Sequence, residues 1–228
     1  MSNPPPAETA SHFSRRDRWA SFDCYGTLID WNAGIRSVLA RVFGEERADA
    51  QLERYHDIEP ALEADGTKTY REVLAEAMRE LGASDGEAGA LGDSLPSWEP
   101  FPEVRDALAR ARDHGWKLAI LSNTDRDFIE ASMERIGIAF ELAIVASEIG
   151  SYKPAHTHWL RFFDETHAAR DHHVHVAQSH LHDIVPATEL GLRTIWINRR
   201  GEAGEPPPTR ELRDLSHLPE TLDELVPA

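Results

Sequence analysis

The chain holds one cysteine in 228 residues and no apolar stretch near the roughly 20 residues that a membrane-crossing helix requires. Cys24 alone cannot build an intramolecular disulfide framework, which excludes a stapled secreted scaffold and leads us to expect a reduced, cytoplasmic setting. No segment is dense in lysine and arginine either, and the net charge is −16 with histidines neutral. That balance argues against nucleic acid and against an anionic membrane as partners. It also means that an anionic substrate has to find basic groups placed locally. The opening "MSNPPPAETASHFSRRDR" lacks the apolar core of a secretory signal, so residues 1–17 are expected to form a disordered lead. There is no internal repeat.

What is present is an alternation. "WASFDC", "WKLAILSN", "ELAIVAS", "VHVAQS" and "LRTIWINR" are short apolar runs bounded by polar or turn residues, the pattern of buried parallel strands. Between them lie helix-length segments such as "FPEVRDALARARDHG", with Val104, Leu108 and Ala111 on one face and Gly115 as a stop, and "DRDFIEASMERIGI" and "HDIVPATELGL". Strand alternating with helix predicts an α/β fold with a Rossmann-like parallel sheet. Residues 33–97 break the alternation, with helical periodicity and no convincing strand. They are expected to form an inserted helical cap, leaving 18–32 and 98–228 as the core. "RRGEAGEPPPTR" is read as a mobile surface loop before a short tail.

Ligands of open parallel sheets bind beyond the carboxyl ends of the strands, so the polar residues just after each apolar run are the informative ones. They are Asp23, then Ser122 with Asn123, then Lys153 with Pro154, then Ser179 to Asp183. Singly each has an ordinary explanation as a cap or turn residue. Their order on successive strand ends is what gives them weight.

With "FDCYGTLID", "LSNT", "SYKP" and "QSHLHD" in that order, the chain resembles the haloacid dehalogenase superfamily over almost its whole length. The resemblance implies a Rossmann-like core with a helical cap, Asp23 as nucleophile, and Thr27, Ser122, Lys153 and Asp183 in the catalytic set. Phosphatases of that superfamily carry a second aspartate two residues after the nucleophile, as acid and base for the leaving oxygen. Here that position is Tyr25, whose phenol is a poor acid near neutrality. They also hold Mg²⁺ with an aspartate four positions before the last one, and here that position is Ser179.

Both exchanges are similar to the L-2-haloacid dehalogenases. That likeness implies hydrolysis of a small 2-haloalkanoic acid, haloacetates included, through an ester on Asp23, with no metal and no cofactor. It further implies that Lys153 holds Asp23 ionised, that Asp183 orients Lys153 and the water, that Asn123 lies near the halide, and that Tyr25, Ser179, His180 and His182 line the substrate. The cap arginine of the subgroup corresponds to Arg41, Arg47 or Arg54. A homodimer is compatible with the resemblance. The alternative is a Mg²⁺-dependent phosphatase on the same fold. A noncatalytic binding protein is the alternative from another class, disfavoured by retention of Asp23, Lys153 and Asp183.

The histidine-rich tract "DHHVHVAQSHLHD" invites a metal site. His172, His173 and His175 fall at a strand entrance, where successive residues face opposite ways, so convergent ligation is not expected. Cys24 is read as a small buried filler beside the nucleophile. Trp31, Trp98 and Trp159 are candidates for an apolar lining at the cap junction.

Overall fold

A computed structural model describes residues 13–14, 16–64 and 66–228. The apolar runs form β1 (Arg18–Phe22), β2 (Trp116–Ser122), β3 (Leu142–Val145), β4 (His173–Ala177) and β5 (Arg193–Ile197), with a short β6 (Arg210–Leu212) at the edge. Among the described residues they make one six-stranded sheet in the order β3-β2-β1-β4-β5-β6, and every pairing is parallel. The strands alternate between two apolar layers. Ala20, Phe22, Leu118, Ile120, Val174 and Val176 pack on one face, and Trp19, Ala119, Leu121 and Ile144 on the other. Burial on both faces explains why the strands read as continuous apolar runs.

Helices cover both layers: α1 (Trp31–Phe43), α2 (Ala48–Glu63), α3 (Tyr70–Glu80), the short α4 (Ala90–Ser94), α5 (Val104–Asp113), α6 (Arg126–Ile136), α7 (Ala146–Ile149), α8 (Thr157–Thr166), α9 (Val185–Glu189) and α10 (Leu218–Leu225). The first four lie between β1 and β2 in sequence. The two chain crossings into and out of them run side by side, with Asp30 N donating to Glu99 O and Phe101 N to Leu28 O.

Three contacts fix these helices over the carboxyl edge of the sheet. Asp125, just beyond β2, accepts from the backbone N–H groups of Tyr70 and Arg71 and so satisfies the amino end of α3. Arg71 pairs with Asp127, and Tyr152 donates its hydroxyl to Lys68 O.

Some expectations need correction. The loop after β5 is followed by β6 and by α10, whose Leu218 and Leu222 are fully buried, so what was read as a short tail packs into the core. β6 is three residues long, exposed at its first two, and has no apolar signature of its own. The helix expected from His182 onward begins instead as a wide turn, His180–Ile184, continued by α9. Of the amino-terminal lead, residues 1–12 and 15 lie outside the described residues. Phe13 sits edge-on against Trp19, and Asp17 pairs with Lys117. No helix among the described residues is long and apolar enough to cross a membrane.

Candidate active site

β1 ends at Phe22, and the next residue, Asp23, emerges at the carboxyl edge beside its neighbours β2 and β4. Its two oxygens are held separately. Oδ2 accepts from Thr27 Oγ1 at 2.8 Å, and Oδ1 accepts from Lys153 Nζ at 2.9 Å. Gly26, at φ +90°, supplies the left-handed turn that brings Thr27 back under Asp23, and a Cβ there would meet Trp31 at 2.9 Å. Thr27 itself is fully buried and accepts from Gln178 N, so it holds Asp23 from below and does not line the cavity.

Lys153 is fixed from three sides, donating to Asp23, to Asp183 Oδ1 at 2.7 Å and to Leu121 O at 2.9 Å. Burial alone would lower the lysine pKa, yet the two carboxylates more than offset it and raise the value. Burial would likewise raise Asp183, but Lys153 and a hydrogen bond from His175 hold it at about 2. Asp23 moves the other way. Burial, aided by the Asp183 charge, raises it despite Lys153 and Thr27. The two carboxylates that share one ammonium are therefore unequal: Asp183 is the firmly ionised one, and Asp23 is the more basic.

His175, which sequence reasoning placed only at a strand entrance, is a second partner of Asp183. In β4 it stands two residues after His173, on the same side of the strand, opposite Ser21 of β1. Its Nε2 lies 2.9 Å from Asp183 Oδ1, and Ser21 Oγ is 2.8 Å from both His175 Nδ1 and His173 Nε2. An ionised carboxylate only accepts, so His175 Nε2 carries the hydrogen. In the neutral ring Nδ1 then accepts from the Ser21 hydroxyl, and Ser21 accepts from His173 Nε2. His173 Nδ1 is left as a bare acceptor, and it indeed has no partner. Burial holds His173 well below its usual pKa. A file of buried polar groups thus supports Asp183 from behind, and Trp159 closes it with an edge contact on the His175 ring.

In front of Asp23 lies a cavity of about 560 Å³. Of the expected residues, Asp23, Tyr25, Ser122, Asn123, Lys153, Ser179, His182 and Asp183 line it. The Ser122 hydroxyl, on a residue 1% exposed, has no hydrogen-bond partner among the described residues. Asn123 is clamped, its Oδ1 accepting from Lys153 N while Nδ2 donates to Lys153 O and to Glu63 of α2. Ser179 Oγ accepts from His182 N and caps the turn that carries Asp183. The Tyr25 phenol bonds to Ser132 Oγ at 3.0 Å, and burial raises its pKa further, so it offers no acid to the cavity. Burial lowers the pKa of His182 and so favours its neutral ring.

Two expectations fail here. His180 turns away from the cavity, donating from Nε2 to Pro206 O and packing on Trp196. None of Arg41, Arg47 and Arg54 lines the cavity. Arg41 is exposed, Arg47 donates back to Phe43 O, and Arg54 reaches Gln51 and Glu80 O on the outer side of the helices. The cavity's arginines are instead Arg199 and Arg200, just after β5. Arg199 lies over the Phe101 ring and pairs with Glu103. Of the three tryptophans, Trp31 lines the cavity, while Trp98 packs behind Tyr25 and Trp159 belongs to the opposite layer.

The donor set does not fit a divalent cation. Asp23 and Asp183 each commit an oxygen to the Lys153 ammonium, Tyr25 and Ser179 bring no carboxylate, and the Ser179 hydroxyl is used as a cap. Among the described residues no group of three histidine, cysteine or acidic side chains converges as metal ligands do, the histidine-rich tract included.

The family model described as haloacid dehalogenase-like hydrolase matches residues 21–197. Among curated proteins, a haloacetate dehalogenase of Moraxella sp. (strain B) is 29% identical over 195 residues, covering 80% of this chain and 86% of that one. A phosphoserine phosphatase of Thermus thermophilus is 27% identical over 183 residues, covering 76% and 73%. Among solved structures, an L-2-haloacid dehalogenase superposes with a TM-score of 0.82 at 21% identity, over 91% of this chain and 99% of that one, a likeness of fold.

Proposed function

The chain belongs to the haloacid dehalogenase-like hydrolases, and from that premise we propose that it hydrolyses the carbon–halogen bond of a small 2-halo carboxylic acid, without a metal, through an ester on Asp23. The observation that carries this reading is Lys153, held at 2.9 Å from Asp23 and 2.7 Å from Asp183, because an ammonium fixed there supplies the positive charge that a metal ion would otherwise bring.

The Asp23 carboxylate attacks the carbon bearing halogen from the side opposite the leaving group. The carbon–halogen bond breaks with its electron pair, and halide departs without needing a proton. That agrees with a Tyr25 phenol turned to Ser132. Water then adds to Cγ of Asp23, Lys153 and Thr27 stabilise the oxygens, and the 2-hydroxy acid leaves. His182, neutral at the cavity wall, takes the proton that water gives up and returns it to the substrate oxygen as the Cγ–O ester bond breaks, leaving Asp23 as a free carboxylate. Ser122, with its free hydroxyl, binds the substrate carboxylate. Helices α1–α4 act as the cap that keeps bulk water from the ester.

The test is halide release from fluoroacetate, chloroacetate and each enantiomer of 2-chloropropionate, with and without a chelator. Release that survives the chelator is expected. Silence with all four, together with Mg²⁺-dependent cleavage of a phosphate ester, would replace this reading with the phosphatase one.

A further inference from the structure

The wall of the cavity opposite Asp23 is acidic in a way that a simple halo acid does not explain. On α2, Gln51, Tyr55, Glu59 and Glu63 recur at four-residue intervals, and all four are buried. Apolar side chains would be expected on such a face. Glu59 and Glu63 instead sit one turn apart, 7% and 6% exposed, and both line the cavity.

Among the described residues each carboxyl receives a single donor, and each donor is neutral. Tyr70 donates its hydroxyl to Glu59 Oε1 at 3.1 Å, and Asn123 Nδ2 donates to Glu63 Oε2 at 3.0 Å. The cation whose field reaches Glu63 is Lys153, already divided between Asp23 and Asp183. Burial lifts the Glu59 pKa to about 7 and that of Glu63 well above the usual carboxyl range. Buried acids lacking a counter-charge weaken a fold, so their place in a ligand cavity points to a ligand that completes them.

Two further observations agree. Asp23, Asp30, Glu59, Glu63, Asp183 and Glu202 set six carboxyl groups around the cavity against three cations, Lys153, Arg199 and Arg200. A substrate bearing only a negative charge is poorly matched to that lining. At about 560 Å³ the cavity also lies in the range of pockets that hold drug-sized ligands, well beyond what a haloacetate fills. Ser122, a lining residue only 1% exposed, brings to the same cavity a buried hydroxyl that has no hydrogen-bond partner among the described residues.

We propose that the site takes a zwitterionic substrate: a 2-halo acid whose chain carries a protonated amine, with the ammonium between Glu59 and Glu63 and the reacting end against Asp23, Ser122 and Lys153. The identity of the reacting end rests on the dehalogenase reading, whereas the amine subsite rests on the α2 wall alone.

The test pairs two measurements on the full chain. Calorimetric titration with 2-hydroxy acids whose chains end in an amine on carbon 4, 5 or 6, each against the matching unsubstituted acid, reads binding without any halogen. Halide release from the corresponding 2-chloro acids reads turnover. The amine form of the best-fitting length should bind about tenfold or more tightly than its alkyl match, and Glu59→Gln with Glu63→Gln should bring that ratio toward one. Equal binding of amine and alkyl chains at all lengths would overturn the proposal. Amine-selective binding with no halide from any chloro acid would uphold the subsite and remove the dehalogenase reading. Halide release with no amine preference would do the reverse.

Discussion

On the sheet side of the cavity every buried charge has an opposite charge within 3 Å. Lys153 bridges Asp23 and Asp183, and His175 and Ser21 complete Asp183 from behind. On the α2 side, Glu59 and Glu63 are also buried, and among the described residues only a phenol and an amide donate to them. The charges of the sheet side are paired without a ligand, and those of the helical side are not. A site built this way keeps its chemistry fixed in the core and leaves recognition to the inserted helices, where an incomplete group gains most from what binds.

The sharpest way to break the comparison is at the nucleophile. Asp23→Asn keeps the shape and an oxygen for Lys153 but removes the attacking carboxylate, and turnover should fall by about 10⁴-fold or more, with the circular dichroism spectrum unchanged. Near-normal halide release from this variant would remove Asp23 from the mechanism and with it the division of labour between the two walls.

A smaller effect is expected one residue deeper on the same wall. His175→Ala leaves Asp183 with Lys153 alone, so its pKa should climb from about 2, and the acid limb of kcat/KM should move toward neutrality with a roughly tenfold loss of rate. His175→Gln retains an N–H donor for Asp183 and should recover most of the rate and the original limb. If alanine and glutamine behave alike, His175 only fills space and the support of Asp183 lies elsewhere.

The sheet wall was largely legible in the sequence, because a parallel sheet delivers the residue after each apolar run to one edge. Asp23, Ser122, Asn123, Lys153 and Asp183 could be placed together by that rule and by their order. His175 escaped because it lies inside a strand, where the alternation in "HVHVA" gives it the same face as His173 and an environment set by β1, which no local pattern encodes. Glu59 and Glu63 escaped for a different reason. Acidic residues on a helix ordinarily face water, and only the seating of α2 over the sheet edge buries these two. Arg199 and β6 lay within and just beyond a proline- and glycine-rich stretch whose composition signals a loop. The cap arginine failed since the carboxyl side of α1 and the outer face of α2 point away from the cavity, a matter of helix rotation that a motif does not carry.

The smallest expected effect is on stability and sharpens the contrast directly. Glu59 titrates near 4.5 when unfolded and at about 7 when folded. Between those values the folded protein holds a proton that the unfolded chain has lost, so this group's contribution favours folding at low pH and is lost as pH rises through 7. Glutamine keeps the oxygen that accepts from Tyr70 and has no charge to bury. Glu59→Gln should therefore melt close to wild type at pH 4.5 and above it at pH 8, by about 2 kcal/mol or roughly 4–8 °C. The paired wall sets the opposite sign. Asp183, held at about 2, contributes stability that is present above the unfolded carboxylate value and is lost only as pH falls toward 2. A Glu59→Gln melting curve that tracks wild type at both pH values would mean that Glu59 is ionised and already compensated, and the two walls would no longer differ in kind.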